Sequence, residues 1–265
     1  MKEQLRLMKF FFPGFVILAI ILNSCKETAK GSVSNFKTKQ VVKKRNISEY
    51  IVFEDSFLEP KTGNYFYKNI EFRKEGAFFS TTNNSPSYIE LPFFNLDLSI
   101  EFNISFSYNT ISDVGSKPQS FITFSDNYSS PTKSVPLFIY TAGNRITGVY
   151  GDLILWAEKY KSSLGASKDY YDSYQLKANE TYFVSFNFTG SKIDIYVNSE
   201  LYSSFSNIKP HSLNYDKVTL GVFPQDKNEK VHFKGAINGL KVFNTALYED
   251  EIADIYKNQY YLSDH

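Results

Sequence analysis

Residues 99–108 read SIEFNISFSY, and this stretch carries the clearest strand pattern of the chain. Its apolar side chains recur at every second position, at Ile100, Phe102, Ile104, Phe106 and Tyr108. In an extended chain such residues share one face, while the polar residues between them share the other. The stretch therefore predicts a β-strand whose two faces differ in polarity, with one face turned to a core.

The same period of two continues elsewhere in the chain. Residues 182–188 alternate in this way, Gly190 lies in the turn Thr189-Gly190-Ser191, and residues 193–197 alternate again, so a β-hairpin is predicted there. Further strands are predicted at Tyr50–Phe57, Ile70–Phe79, Tyr88–Leu91, Ser120–Phe124, Leu137–Tyr140, Arg145–Trp156, Tyr171–Leu176, Leu201–Phe205, Lys217–Val222, Lys230–Ile237 and Gly239–Phe243.

One helix is predicted, at the end of the chain. Three acids at 249–251 suit a first helical turn, and Ile252, Ile255 and Tyr256 follow on one face. Many short strands separated by turns, with one closing helix, predict an all-β, two-sheet antiparallel jelly-roll sandwich with a short C-terminal helix. No internal boundary is visible, so residues 49–265 are predicted to form one domain.

The first 25 residues predict export. A basic lead is followed by an apolar run, Phe10–Leu22, which is too short to span a bilayer, and then by Leu22-Asn23-Ser24-Cys25. This arrangement resembles bacterial lipoprotein precursors, which implies a signal peptide at 1–24 and lipidation of Cys25. A plain signal peptide with an incidental cysteine is the alternative.

Residues 25–48 are predicted to be the lipidated cysteine and a flexible, lysine-rich linker. Removal of residues 1–24 lowers the formal charge from +1 to −1, which argues against a nucleic-acid partner. Cys25 is the only cysteine, so no intrachain disulfide forms. The expected location is the bacterial cell envelope, with a lipid anchor in the outer membrane.

Three stretches carry a family resemblance. Residues 235–247 read GAINGLKVFNTAL before the acidic helix, residues 87–92 read SYIELP, and residues 182–198 form the predicted hairpin. They resemble the concanavalin A-like, laminin-G-type jelly-roll domains. The resemblance implies a fold that lectins and several enzymes share, and in some relatives a structural calcium ion joins the first strand to the last.

Two departures from the family pattern bear on this expectation. The last strand carries Asn238-Gly239 where acids are usual, and Tyr248 stands where a serine usually caps the helix. Glu54 or Asp55 with Asn238 would be the calcium ligands, but with that acid missing we predict no metal and no cofactor.

The sequence lacks a recognisable catalytic set. Glycoside hydrolysis needs two carboxylates flanking one bond, whereas Asp194, the nearest strand acid, is expected to point outward alone. His232 is expected on an outward strand position and His211 in a loop, so neither forms a nucleophile–base pair. We therefore predict that the chain is not an enzyme.

Aromatic side chains lying flat against sugar rings, with polar groups beside them, would bind carbohydrate. One region is rich in aromatics interleaved with acids and a long loop. The predicted ligand-binding residues are Tyr150, Trp156, Tyr160, Tyr170, Tyr171 and Tyr174. Their alternative role is core packing.

The leading functional expectation is a non-catalytic glycan-binding lipoprotein that serves polysaccharide capture or adhesion. A protein-interaction or structural module of the envelope, and a divergent hydrolase or lyase, remain the alternatives.

Overall fold

The computed structural model describes residues 45–80, 85–111, 118–126, 135–142, 145–151, 153–155, 176–210, 213–223 and 232–261. The described residues from Asn46 onward belong to one compact unit. A short 3-10 helix, Ile47–Tyr50, begins this unit and is capped by the side chain of Asn46. Within this part of the chain, no helix is both long enough and apolar enough to cross a membrane.

Strands make up about half of the described residues, and one α-helix follows them in this part of the chain. The strands are β1 (Ile51–Asp55), β2 (Phe66–Lys68), β3 (Ile70–Arg73), β4 (Gly76–Phe79), β5 (Tyr88–Glu90), β6 (Phe102–Thr110), β7 (Gln119–Ser125), β8 (Leu137–Thr141), β9 (Ile146–Tyr150), β10 (Leu153–Leu155), β11 (Thr181–Phe188), β12 (Lys192–Val197), β13 (Glu200–Ser206), β14 (Lys217–Leu220) and β15 (Gly235–Phe243). The helix, α1, is Glu249–Tyr261.

The strands form two antiparallel sheets. The eight-stranded sheet has the order β13-β12-β11-β6-β15-β4-β3, and β1 pairs with the same edge of β15 as β4 does. The seven-stranded sheet has the order β10-β9-β8-β7-β14-β5-β2. This arrangement confirms the predicted two-sheet antiparallel sandwich with a short C-terminal helix.

The core lies between the sheets and is dominated by aromatic and branched side chains. On β6, Phe102, Ile104 and Phe106 are at most 1% exposed and face this core, as the alternation of residues 99–108 predicts. Phe186 of β11 stacks on Phe102 with ring centroids 6.4 Å apart. Ile100 departs from the prediction, because the strand begins two residues later and its side chain is 52% exposed.

The outer face of the eight-stranded sheet is covered by α1, and we call it the covered face. Ile252 and Ile255 of the helix pack there with Leu247, Phe183 and Tyr196 in a second apolar cluster. The predicted stripe on one side of the helix is thereby confirmed. Burial of this face stabilises the closed sandwich because apolar area leaves water on both the sheet and the helix.

Polar side chains of the covered face are buried too, against the expectation for the polar side of these strands. Asn103, Ser105, Ser185 and Asn187 are at most 2% exposed and bond to one another across β6 and β11. The Asn187 amide also accepts from the Leu247 backbone N–H at 2.8 Å and donates to the Leu247 carbonyl at 3.1 Å. This network satisfies groups that would otherwise lose water without replacement.

Asp194 and Tyr196 of β12 were also predicted to point outward into solvent. Both are only 5% exposed, so this prediction is corrected. Lys192 Nζ lies 2.8 Å from the Asp194 carboxylate and balances its charge. The helix itself begins as predicted at Glu249, and Glu251 accepts a hydrogen bond from the Tyr248 backbone N–H at 2.8 Å. The helix thus keeps half of a capping box although a tyrosine occupies the cap position.

Several strand boundaries differ from the prediction. The predicted strand Ile70–Phe79 is the hairpin β3–β4, and Arg145–Trp156 contains the hairpin β9–β10. The separate strands predicted on either side of Asn238 are one strand, β15, whose register shifts between Asn238 and Lys241. Gly239 has φ +61° within this bulge, a backbone conformation that glycine adopts without strain.

Candidate functional site

Side chains of β2, β5 and β14 form an exposed group on the outer face of the seven-stranded sheet. Ile89, Val218 and Leu220 of these strands are buried in the core, so the residues between them point outward. We call the outward group the platform face. It consists of Phe66, Lys68, Tyr88, Glu90 and Lys217.

Two aromatic rings lie together on the platform face. Phe66 is 52% exposed, and its ring centroid lies 5.7 Å from that of the half-buried Tyr88, with 31° between the planes. Lys68 is the direct cross-strand neighbour of Tyr88, and its Nζ lies 5.9 Å from the centre of the tyrosine ring. Phe66 in turn lies opposite Glu90. The apolar surface of the two rings therefore lies directly beside two charged side chains, those of Lys68 and Glu90.

Glu90 forms an ion pair with Lys217, with 2.6 Å between carboxylate oxygen and Nζ. The two side chains are 34% and 35% exposed, so water reaches the pair and screens it. Such a pair contributes about 0–1 kcal/mol. Its oxygen and N–H groups can therefore exchange partners with a polar ligand at little cost.

The turn after β2 fixes the platform face in place. Asn69 has φ 54°, and its side-chain amide donates to Ser85 Oγ and to the Pro86 carbonyl, both at 3.0 Å. On the opposite side of β2, the Tyr67 ring stacks on Tyr65 with centroids 5.6 Å apart. Hydrogen bonds on one side and ring packing on the other hold this short edge strand beside β5.

The far end of the same outer face is also aromatic but is buried. Phe138 and Tyr140 of β8 stack with centroids 4.4 Å apart, and Phe223 lies 4.7 Å from Phe138. Phe138 is 7% exposed and Tyr140 is 8% exposed. Burial raises the pKa of Tyr140, while its hydrogen bond with Thr147 opposes that shift. These rings pack together and present no face to a ligand.

The structure describes one of the six aromatic residues that were predicted from the sequence to bind ligand. Tyr150 is fully buried, and its hydroxyl donates to the Leu98 carbonyl at 2.6 Å. Its ring lies 5.0 Å from that of Phe188 in the core, so the prediction that Tyr150 binds ligand is wrong. The other five predicted residues lie outside the described part of the chain. They are Trp156, Tyr160, Tyr170, Tyr171 and Tyr174.

The residues considered for calcium are held by protein groups. The Asp55 carboxylate is 1% exposed and accepts from the Phe57 backbone N–H at 2.8 Å and from the Tyr65 hydroxyl at 2.6 Å, and Lys61 Nζ lies 3.3 Å away. Glu54 pairs with Lys241 of the last strand at 2.5 Å. Lysine ammonium groups thus supply the positive charge beside both carboxylates. Burial, together with the hydrogen bond to Asp55, raises the pKa of Tyr65.

The side chains considered for catalysis are His232, His211 and the carboxylates of the strands. His232 is 5% exposed and precedes β15, which corrects the expectation of an outward strand position. His211 lies outside the described part. At the described outward positions of β2, β5, β14, β7, β8 and β9, Glu90 is the single carboxylate. No cluster of three metal-ligating side chains occurs within the described ranges.

Sequence reasoning missed the platform face because it missed β2. Residues 65–68 alternate between Tyr65 and Tyr67 on the core side and Phe66 and Lys68 outside, but the run is only three residues long as a strand. With aromatics at three successive positions, alternation by polarity is hidden. The signal that could have found it is the pairing of this run with the predicted strand at Tyr88.

An antiparallel sandwich of this topology, with an aromatic outer surface, defines a lectin-like jelly-roll domain. Residues 83–253 match the family model of the concanavalin A-like lectin/glucanases superfamily, and the chain belongs to that superfamily. This confirms the resemblance found in the sequence. No curated protein matches the chain.

Solved structures share the fold at low sequence identity. The binding domain of botulinum neurotoxin serotype D has a TM-score of 0.57 at 15% identity, over 80% of this chain and 53% of that chain. A Trypanosoma rangeli sialidase in complex with sialic acid has a TM-score of 0.57 at 13% identity, over 81% of this chain and 34% of that chain. The chain thus spans about half or less of these proteins, and the similarity establishes the fold alone.

Proposed function

We propose that this chain is a non-catalytic glycan-binding protein of the bacterial cell envelope, which captures polysaccharide or mediates adhesion. The observation that carries the proposal is the exposed Phe66 ring beside Tyr88, with Glu90 and Lys217 next to it. Sugar rings have apolar C–H faces that pack on aromatic rings, and hydroxyls at their rims that bond to charged groups. Ligand sites typically combine apolar surface with a few well-placed polar groups.

The absence of catalysis is part of the proposal. Hydrolysis of a glycosidic bond uses two carboxyl groups, with one as acid and the other as nucleophile or base. Among the described outward positions of the sheet, Glu90 stands alone, and Lys217 holds it as an ion pair. This arrangement suits the recognition of hydroxyl groups better than proton transfer to a leaving group.

The location at the envelope is proposed from the N-terminal sequence. A short apolar run before the single cysteine, Cys25, and a lysine-rich segment after it support lipid anchoring. Labelling of growing cells with a radioactive fatty acid should mark the protein, and Cys25→Ser should abolish the label. A labelled Cys25→Ser protein, or an unlabelled native one, would contradict the anchor.

Glycan binding is tested with the full chain in mild detergent, by affinity electrophoresis through gels that contain a panel of neutral and acidic polysaccharides. We expect retardation by at least one polysaccharide. Phe66→Ala should weaken that binding about tenfold, since loss of an aromatic contact costs on the order of 1.4 kcal/mol. Phe66 is half-exposed, so stability should change by less than about 0.5 kcal/mol.

The matched control is Phe93→Ala. Phe93 is 64% exposed and packs on Tyr215 rather than on the platform face. Its removal should leave retardation unchanged. Equal losses in the two variants, or no retardation by any polysaccharide, would refute the proposed site.

A further inference from the structure

The charges of the platform face are unequal. Glu90 is neutralised by Lys217 at 2.6 Å, whereas Lys68 forms no ion pair with a carboxylate among the described residues. Nearby lysines with a carboxylate in reach do pair, as Lys61 does with Asp55 at 3.3 Å. One positive charge on this face is therefore left for a ligand.

The position of that charge is defined by the two strands. Lys68 lies directly opposite Tyr88, and its Nζ is 5.9 Å from the tyrosine ring centre. The Phe66 ring lies diagonally across, 5.7 Å from Tyr88. A sugar ring packed on Phe66 and Tyr88 thus brings its substituents within reach of the ammonium group. Attraction between the cation and the tyrosine ring restrains the lysine side chain. The hydrogen bond from Asn69 to the Pro86 carbonyl holds the turn that follows Lys68.

We infer that the platform face selects an acidic sugar, one that carries a carboxylate or a sulfate group. This inference rests on the proposed glycan-binding function and adds the ligand class. The shared chemistry is a fixed negative charge on a ring whose C–H face meets the aromatic pair. An ammonium group accepts either anion, because it acts as a compact point charge rather than as a shaped fork.

The expected preference is modest in size and depends on salt. An ion pair at a half-exposed position corresponds to roughly a two- to fivefold gain in affinity. Salt near 1 M reduces the Debye length to about 3 Å and should remove most of the gain. The aromatic contact is insensitive to such screening, so binding itself should persist.

The test compares each acidic polysaccharide with its own neutral derivative. A polyuronate is paired with its carboxyl-reduced form, and a sulfated glycan with its desulfated form, using the full chain in mild detergent. We expect the native protein to bind an acidic form two- to fivefold more tightly. Lys68→Gln should bind both forms equally, and Lys68→Arg should restore the preference. Preference for only one anion identifies the source of the charge.

The matched charge control is Lys74→Gln, because Lys74 is 91% exposed in the turn between β3 and β4. It removes one positive charge elsewhere and should leave the preference intact. Equal binding of acidic and neutral forms by the native protein, or a preference that survives Lys68→Gln, would overturn the inference. Phe66-dependent binding in that case would still support the proposed function.

Discussion

The outer faces of the two sheets are both formed by alternating antiparallel strands, but one face is buried and the other is partly exposed. On the covered face, Asn187 and Ser185 are at most 2% exposed. On the platform face, Phe66 is 52% exposed and Tyr88 and Glu90 are half-buried. The polar residues are hidden in one sheet, and an aromatic residue is displayed in the other.

The comparison shows that polarity along a strand does not determine what covers it. Asn187 is accepted in this buried position because its side chain bonds to both backbone groups of Leu247. An aromatic residue left outside has no such compensation within the domain. Single exposed apolar residues are common, so our proposal rests on the pairing of Phe66 with Tyr88 and the charged groups beside them.

The largest predicted effect breaks the covered face. Asn187→Ala leaves the Leu247 N–H and carbonyl without their side-chain partner and deprives Asn103 of an acceptor. Each unsatisfied buried group costs about 1–3 kcal/mol, so the free energy of unfolding should fall by about 3 kcal/mol. Denaturant titration followed by fluorescence measures this change.

Asn109→Ala is the matched control for that variant. Asn109 is half-buried on the neighbouring strand, and among the described residues its side chain donates to Thr181 Oγ1, at 3.3 Å. Its removal should cost less than about 1 kcal/mol. A loss as large as that of Asn187→Ala would mean that the link to Leu247 is not what holds the helix to the sheet. Binding at the platform face should survive both variants while they remain folded.

Much of the fold could be predicted because alternation is a local property. Phe102, Ile104 and Phe106 face the core where their spacing places them, and the helix begins at Glu249. Alternation could not predict the covering of the outer face. Burial of Tyr196 depends on a helix that lies more than fifty residues later in the chain.

The site was harder to predict than the fold. From composition alone, Tyr150 and Tyr88 are equally good candidates for ligand binding. The Tyr150 hydroxyl, however, donates to the Leu98 carbonyl within the core. Which tyrosine remains outside depends on the pairing of β2 with β5, and a three-residue strand gives little local signal. Lys61 and Lys241 pair with the two acids that were considered for calcium, and the acidic pattern alone does not reveal these lysines.

A second prediction uses the pH dependence of the covered face. Burial, with Asp194 and Glu249 nearby, raises the pKa of Tyr196 from 10.0 to about 12. Below pH 10 the Tyr196 hydroxyl is protonated in both the folded and the unfolded chain, so its full contribution to the free energy of unfolding is present. Between pH 10 and 12 the unfolded form releases the proton first, and stability falls.

Between pH 10 and 12 the free energy of unfolding should therefore fall less in Tyr196→Phe than in the native chain. The difference should be on the order of 1–2 kcal/mol. Part of the alkaline loss should remain, because burial also raises the pKa of Tyr215 to about 12. Unfolding curves at closely spaced pH values test this expectation. Parallel curves for the two proteins would show that the Tyr196 hydroxyl is not protected by the helix.

The smallest predicted effect strengthens the eight-stranded sheet without touching the other sheet. Asn198 and Ser199 join β12 to β13 with φ values of 51° and 66°, the pattern of a hairpin turn that favours Asn-Gly. Ser199→Gly should raise the free energy of unfolding by about 0.5 kcal/mol, since relief of the strained backbone outweighs the added freedom of the unfolded chain. Denaturant midpoints measure the gain, and polysaccharide retardation should be unchanged. A change in retardation would show that the two sheets are coupled, so that the covered face influences the platform face through the core.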